Sequence, residues 1–267
     1  MKTTITFFLR YSVIIFGFGV FVFITTSCEK KSFDDGQLET NQSNQINVLT
    51  EAEQKNGWEL LFDGMSTESW RSTHSQEFPK EGWRVENGIL SFVPVENGHG
   101  GGDIITKKQY ANFELSLEFK IERGGNSGIK YNVVNNYPGH EGNYLGLEYQ
   151  ILDDEHHPDA KRGQDGNRTI SSLYDMIPAS SQKQVYPEGK WNNARIVVDG
   201  NQCEHWLNGD KVVSYNLGSP GYKELVAKSK YHIYENFGEV EVGHILLQAH
   251  GDPISFRNIK LRVLPSN

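Results

Sequence analysis

Apolar, β-branched and aromatic residues recur along most of this chain in short runs, at residues 58–62, 83–86, 89–94, 113–121, 128–134, 146–152, 194–198, 202–207, 211–215, 244–249 and 254–263. In several runs the apolar positions alternate with polar ones, the period-two pattern of a strand with one face buried. Glu86-Asn87-Gly88, Asp199-Gly200-Asn201 and Asn208-Gly209-Asp210 stand between adjacent runs. Asn-Gly and Asp-Gly supply the positive φ of tight hairpins, so neighbouring runs pair antiparallel. The helical pattern at 222–230 is too short to cross over between parallel strands, which disfavours an α/β fold. No internal repeat points to a propeller or solenoid. The pattern predicts an all-β, two-sheet antiparallel β-sandwich of the jelly-roll type, built as one domain over residues 56–267.

The N-terminal part has another character. Lys2 and Arg10 flank the start, an uncharged apolar stretch runs over 11–24, and Thr25, Thr26 and Ser27 lead into Cys28. This is the arrangement of an export signal peptide over residues 1–27. Cys28 is placed as the lipid-accepting cysteine of an envelope-anchored lipoprotein, although Thr25 stands where that motif usually has Leu; an uncleaved membrane anchor is the alternative, and either tethers the domain. Residues 28–55 are polar, with few large apolar side chains, and read as a flexible linker.

Composition narrows the functional classes. The net charge of −8 argues against nucleic acid as a partner. Cys28 and Cys203 are the two cysteines and lie in unlike segments, so no disulfide framework holds the fold, and burial must.

Strand parity then sorts the candidate chemistry. In the run at 146–152, Leu147, Tyr149 and Ile151 point one way, and Glu148 and Gln150 share the polar face. The segment Asp153-Asp154-Glu155-His156-His157-Pro158-Asp159 follows at the strand end, where sandwich loops commonly build sites. It could bind a divalent metal through Asp153 and His156, or supply an acid and a base, since imidazole titrates near neutrality. No ligand spacing there matches a named metal motif, and acidic runs are usually solvated. Lys130 has the opposite parity to Ile129, Tyr131 and Val133, and Gln248 and His250 share a face at a second polar strand end. Arg257 follows, with a guanidinium suited to fixed hydrogen bonds to hydroxyls or a carbonyl; a surface ion pair explains it equally well. Tyr174 is a turn or rim residue, and His99 and Asp103 belong to a Gly-rich rim loop that no helix follows, so it is not a phosphate loop. Trp58, Trp83, Trp191 and Trp206 are read mainly as packing residues, and His205 as a satisfied strand histidine.

Five ordered blocks resemble the 3-keto-disaccharide hydrolase family. They are Gly57-Trp58-Glu59-Leu60-Leu61-Phe62-Asp63-Gly64, Asn126-Ser127-Gly128-Ile129-Lys130-Tyr131, Gly146-Leu147-Glu148-Tyr149-Gln150-Ile151-Leu152-Asp153, Glu204-His205-Trp206-Leu207-Asn208-Gly209 and His250-Gly251-Asp252-Pro253-Ile254-Ser255-Phe256-Arg257-Asn258-Ile259. The resemblance covers nearly all of residues 57–263. It implies a concanavalin A-like or laminin-G-like jelly roll, and glycosides oxidised at C3 as substrates. A C3 carbonyl acidifies the C2 proton and lets the C1 substituent leave by elimination, after which water adds. On that chemistry Glu148 or His156 is the base, and Lys130, Arg257 or a metal stabilises the enolate oxygen. Gln150, Asp103, Tyr174, Gln248, His250 and Arg257 are the substrate-binding candidates.

Two rivals remain. A retaining β-glucanase needs paired carboxylates about 5 Å apart. No Glu-x-Asp-x-Glu run exists, and the next carboxylate after Glu148 is Asp153. A non-catalytic carbohydrate-binding module on a lipid stalk would use the same polar face, but through exposed aromatics rather than a pocket holding an acid or base.

Overall fold

A computed structural model describes residues 46–95 and 100–265. The export segment, Cys28 and His99 lie outside the described residues.

The chain folds into two antiparallel sheets, as the alternation predicts. The larger, eight-stranded sheet takes the order β11-β10-β9-β6-β13-β4-β3, with β1 also paired to β13. Its strands are β1 (Trp58–Leu60), β3 (Trp83–Glu86), β4 (Ile89–Phe92), β6 (Phe113–Ile121), β9 (Asn192–Asp199), β10 (Gln202–Leu207), β11 (Asp210–Asn216) and β13 (Ile254–Val263). The smaller, five-stranded sheet runs β2-β5-β12-β7-β8. Its strands are β2 (Trp70–Ser72), β5 (Ile104–Thr106), β12 (His244–Leu247), β7 (Asn126–Val134) and β8 (Leu145–Leu152). The hairpins β3–β4 and β10–β11 turn at Asn87-Gly88 and Asn208-Gly209, and all four residues have positive φ.

Period-two burial builds the core. Phe113, Leu115, Leu117 and Phe119 of β6 point inward, as do Ile129 and Tyr131 of β7 and Leu147, Tyr149 and Ile151 of β8, all within 1 % of complete burial. Each such side chain contributes about 1.5–3 kcal/mol by leaving water. Trp83 joins this core, while half-exposed Trp58, Trp191 and Trp206 lie under Lys and Arg cations on the other side of the larger sheet.

One polar chain crosses the core. Tyr215 and Tyr131 are linked hydroxyl to hydroxyl at 2.7 Å, and Tyr131 meets His205 Nε2 at 2.8 Å. His205 Nδ1 lies 3.0 Å from the Ser171 carbonyl, which can only accept, so Nδ1 carries the proton and Nε2 accepts from Tyr131. His205 is the satisfied strand histidine expected, and burial holds its pKa down to about 4 against the Ser171 hydrogen bond.

Two differences from the sequence reading stand out. β2 and β5 are three residues long and buried on every residue, so they carry no alternation to detect. The linker, expected to run flexibly to residue 55, holds defined structure in its described part, residues 46–55. Asn47 is buried and exchanges backbone-to-side-chain hydrogen bonds with Asn258, and α1 (Glu51–Lys55) is closed by a Thr50/Glu53 capping box. The expected helix is α2 (Pro220–Lys228), started by Ser219 as N-cap and Pro220, and a separate 3-10 turn, Lys230–Ile233, follows it.

Candidate active site

Antiparallel register between β7 and β8 sets Lys130 opposite Glu148 and Gly128 opposite Gln150. Tyr131, Leu147 and Tyr149 take the inner face, so Lys130, Glu148 and Gln150 occupy the outer one. Glycine at 128 is required by crowding: a Cβ there would stand 2.7 Å from Glu148 Oε1. β12 extends past its last paired residue to bring in Gln248, whose N–H donates to the Gly128 carbonyl, and then His250. Opposite this floor stand the 3-10 turn Pro158–Lys161, the segment around Tyr174 and the 3-10 turn Lys230–Ile233. The cleft they enclose measures about 480 Å³.

Glu148 is 5 % exposed, and its carboxylate forms no ion pair among the described residues. With the Gln150 amide turned so that its nitrogen faces acceptors, it donates to the Ser127 carbonyl at 2.9 Å and to Glu148 Oε1 at 3.3 Å. Gln150 therefore aims the Glu148 carboxylate. Gln248 Oε1 is buried with no hydrogen-bond partner among the described residues, an unmet acceptor in the cleft floor. The opposite wall is braced: the Tyr174 hydroxyl donates to Asp159 Oδ2 at 2.8 Å, and Arg168 bridges Asp159 at 3.0 Å and Asp175 at 2.7 Å. Burial works against the Asp159 anion, yet the Tyr174 hydroxyl and Arg168 outweigh it and hold its carboxyl below the usual range. Tyr174 is pushed the other way, by burial and by the neighbouring Asp159 charge. Lys230 reaches over the Tyr174 ring, its nitrogen 4.2 Å from the centroid, and 5.0 Å from that of Tyr231. Surrounding protein and then nearby Lys130 lower its pKa, against the attraction of Glu148 and Asp175.

Six of the residues singled out in the sequence meet at this cleft: Glu148, Lys130, Gln150, Tyr174, Gln248 and His250. Three do not. Arg257 lies on β13 in the larger sheet, where parity turns it away from the core. It pairs with Glu118 at 2.5 Å and stacks 4.2 Å over Trp191. His156 turns its Nδ1 to Asp153 at 2.8 Å, outside the cleft lining, and neighbouring His157 takes the place at the cleft. Asp103 accepts from the Ala249 N–H at 2.8 Å and fixes that strand end from an adjoining groove that shares Leu145 and Tyr234 with the cleft. Lys230, His157, Asp159 and Tyr231 were not singled out for the cleft. His157 and Asp159 did stand in the flagged acidic segment, whereas Lys230 ends the helical run and gives no one-dimensional signal.

Asp153, His156 and Glu188 bring ligand atoms within 4.8 Å of one another, a set of hard donors that could hold a divalent cation. Asp153 is already engaged by the Gly124 N–H at 2.7 Å as well as by His156, and the group stands apart from the cleft floor.

The cleft on the outer face of the smaller sheet thus gathers a buried carboxylate and two amines. Residues 57–262 match the family model described as the 3-keto-alpha-glucoside-1,2-lyase-like domain, and the chain belongs to that family. It is 37 % identical over 230 residues to the 3-keto-disaccharide hydrolase of Bacteroides thetaiotaomicron, covering 78 % of this chain and 79 % of that one. A crystal structure of a candidate glycosyl hydrolase from Parabacteroides distasonis superposes with a TM-score of 0.72 at 30 % identity, covering 83 % of this chain and all of the other. A second from the same organism gives 0.58 at 30 % identity, covering 78 % and 99 %.

Proposed function

We propose that this chain cleaves 3-keto-glycosides, 3-keto-disaccharides included, by removing the C2 proton, expelling the C1 substituent and adding water. The observation that carries this reading is the state of Glu148: buried, aimed by Gln150, opposite Lys130 in register, yet bound in no ion pair among the described residues. A carboxylate held away from solvent and unneutralised is a suitable base for a carbon acid. Lys130 and Lys230 place amino groups in the cleft, where they can draw electron density toward C3 as the C2 proton leaves. The unmet Gln248 oxygen would accept a hydrogen bond from a sugar hydroxyl.

Ordinary acid-assisted glycoside hydrolysis fits less well. It needs a second carboxyl group able to give up a proton, and Asp159, the other carboxylate of the cleft, is held ionised by Tyr174 and Arg168. A divalent ion at Asp153, His156 and Glu188 would stand away from Glu148, and no step is assigned to it. The export segment and Cys28 suit a lipid-anchored envelope protein that meets its glycoside outside the cytoplasm.

Purified protein is to be given matched glucosides with and without the 3-keto group. Aglycone release from the 3-keto member alone is the expected result. Release from the unmodified member alone would contradict the reading.

A further inference from the structure

The two lysines of the cleft differ in setting. Lys130 rises from the middle of β7, in the sheet floor. Lys230 comes from the opposite wall and begins the 3-10 turn whose backbone N–H is anchored to Asp175 Oδ2 at 2.8 Å. Although the residue as a whole is exposed, its nitrogen lies against two tyrosine rings. It makes neither a hydrogen bond nor an ion pair among the described residues, although Glu148, Asp175 and Arg168 are close enough to act on its charge. An ammonium without a hydrogen-bonded partner, facing a second cation across a cleft, is the setting in which a lysine becomes a nucleophile. The ketone that the proposed function places in this cleft is the electrophile such an amine attacks.

We infer that Lys230 acts covalently, forming a Schiff base with the C3 carbonyl of the substrate, while Lys130 remains a charged neighbour. This rests on the 3-keto-glycoside reading and adds its chemical means. The Lys230 Nζ lone pair attacks C3, and the resulting carbinolamine loses one water to give the iminium. Glu148 takes the C2 proton, and the C2–H electrons form the C2=C3 bond of an enamine. The enamine then re-forms C3=N⁺, its former C2=C3 electrons become C1=C2, and the C1–O bond breaks. The aglycone leaves as an alcohol with a proton returned through solvent. One water adds at C1 as C2 regains a proton, and another hydrolyses the iminium, freeing Lys230 and the 3-keto sugar. One water is released and two are consumed, so the sum is hydrolysis with no external oxidant or reductant. The protein around the Lys230 nitrogen lowers its basicity, the direction that favours the free amine.

The test is reductive trapping of the full chain with a 3-keto-glucoside and sodium cyanoborohydride, followed by intact-mass measurement and peptide mapping, with aglycone release measured in parallel without reductant. One adduct per chain at Lys230 is expected, with turnover lost in step with its formation. Lys130→Arg should still be trapped at Lys230. Lys230→Arg, which keeps the charge, should give no adduct and release aglycone at least 100-fold more slowly. Aglycone release by the unmodified protein with no adduct at Lys230, or with adducts spread over many lysines, would overturn the Schiff base and leave the 3-keto-glycoside reading intact. No release from the 3-keto substrate before any reductant is added would overturn both.

Discussion

At the residue scale, the cleft depends on a few groups whose surroundings assign them different tasks. Glu148 is the group whose loss should matter most. Glu148→Gln keeps the volume and the contact with Gln150 but removes the base, so steady-state kinetics should show kcat lower by about 10²–10⁴-fold with little change in melting temperature. Gly128→Ala tests the same carboxylate from beneath. Its methyl would stand 2.7 Å from Glu148 Oε1, so activity should fall more than stability when both are measured on one preparation. Asp159 answers to pH instead. Its folded pKa lies below the usual range, so it contributes stability above the unfolded value of about 3.9, and that contribution is lost as pH falls through the lower folded value. Asp159→Asn should therefore melt earlier than the unmodified protein at pH 7, with the gap closing under acid conditions. Parity in single strands was enough to place Glu148, Gln150 and Lys130 on one face. It could not place Arg257, because alternation tells which face a side chain takes within its own sheet and not which sheet the strand joins.

At the element scale, the long strands were legible because each buries one face, and β3, β6, β10 and β13 begin and end where the pattern sets them. β2 and β5 were hidden because short strands buried throughout have no period. The cleft wall was harder still. Lys230 owes its place to the break between α2 and the 3-10 turn after it, where Ser229 caps the turn and Asp175 binds the Lys230 N–H. That is a tertiary contact across 55 positions, with no local pattern to announce it. The sheet–sheet contact gives a separate prediction through His205. Because its folded pKa is about 4 against an ordinary 6.5, the unfolded chain binds more protons between those values, and stability must fall as pH drops across that window. The full effect is roughly 3 kcal/mol. Denaturant titrations at a series of pH values should show this loss in the unmodified protein and a flatter profile in His205→Gln, which can still hydrogen-bond but does not titrate.

At the scale of the whole molecule, the sandwich separates two faces that one-dimensional reading had merged. The outer face of the smaller sheet carries the cleft, and that of the larger sheet carries Arg257, Trp191 and the other cation-covered tryptophans. Arg257→Gln should therefore leave kcat/KM within a few-fold of the unmodified value, in contrast to Glu148→Gln. Family membership is consistent with this division, since the match over residues 57–262 takes in both sheets. The most direct measurement is single-turnover aglycone release from a 3-keto-glucoside carrying deuterium at C2, compared with its protiated twin. A slower release of the deuterated substrate is expected, together with loss of both reactions in Glu148→Gln. Equal rates for the two, or release by Glu148→Gln at the unmodified protein's speed, would contradict proton removal by Glu148 as the step that leads to expulsion of the aglycone.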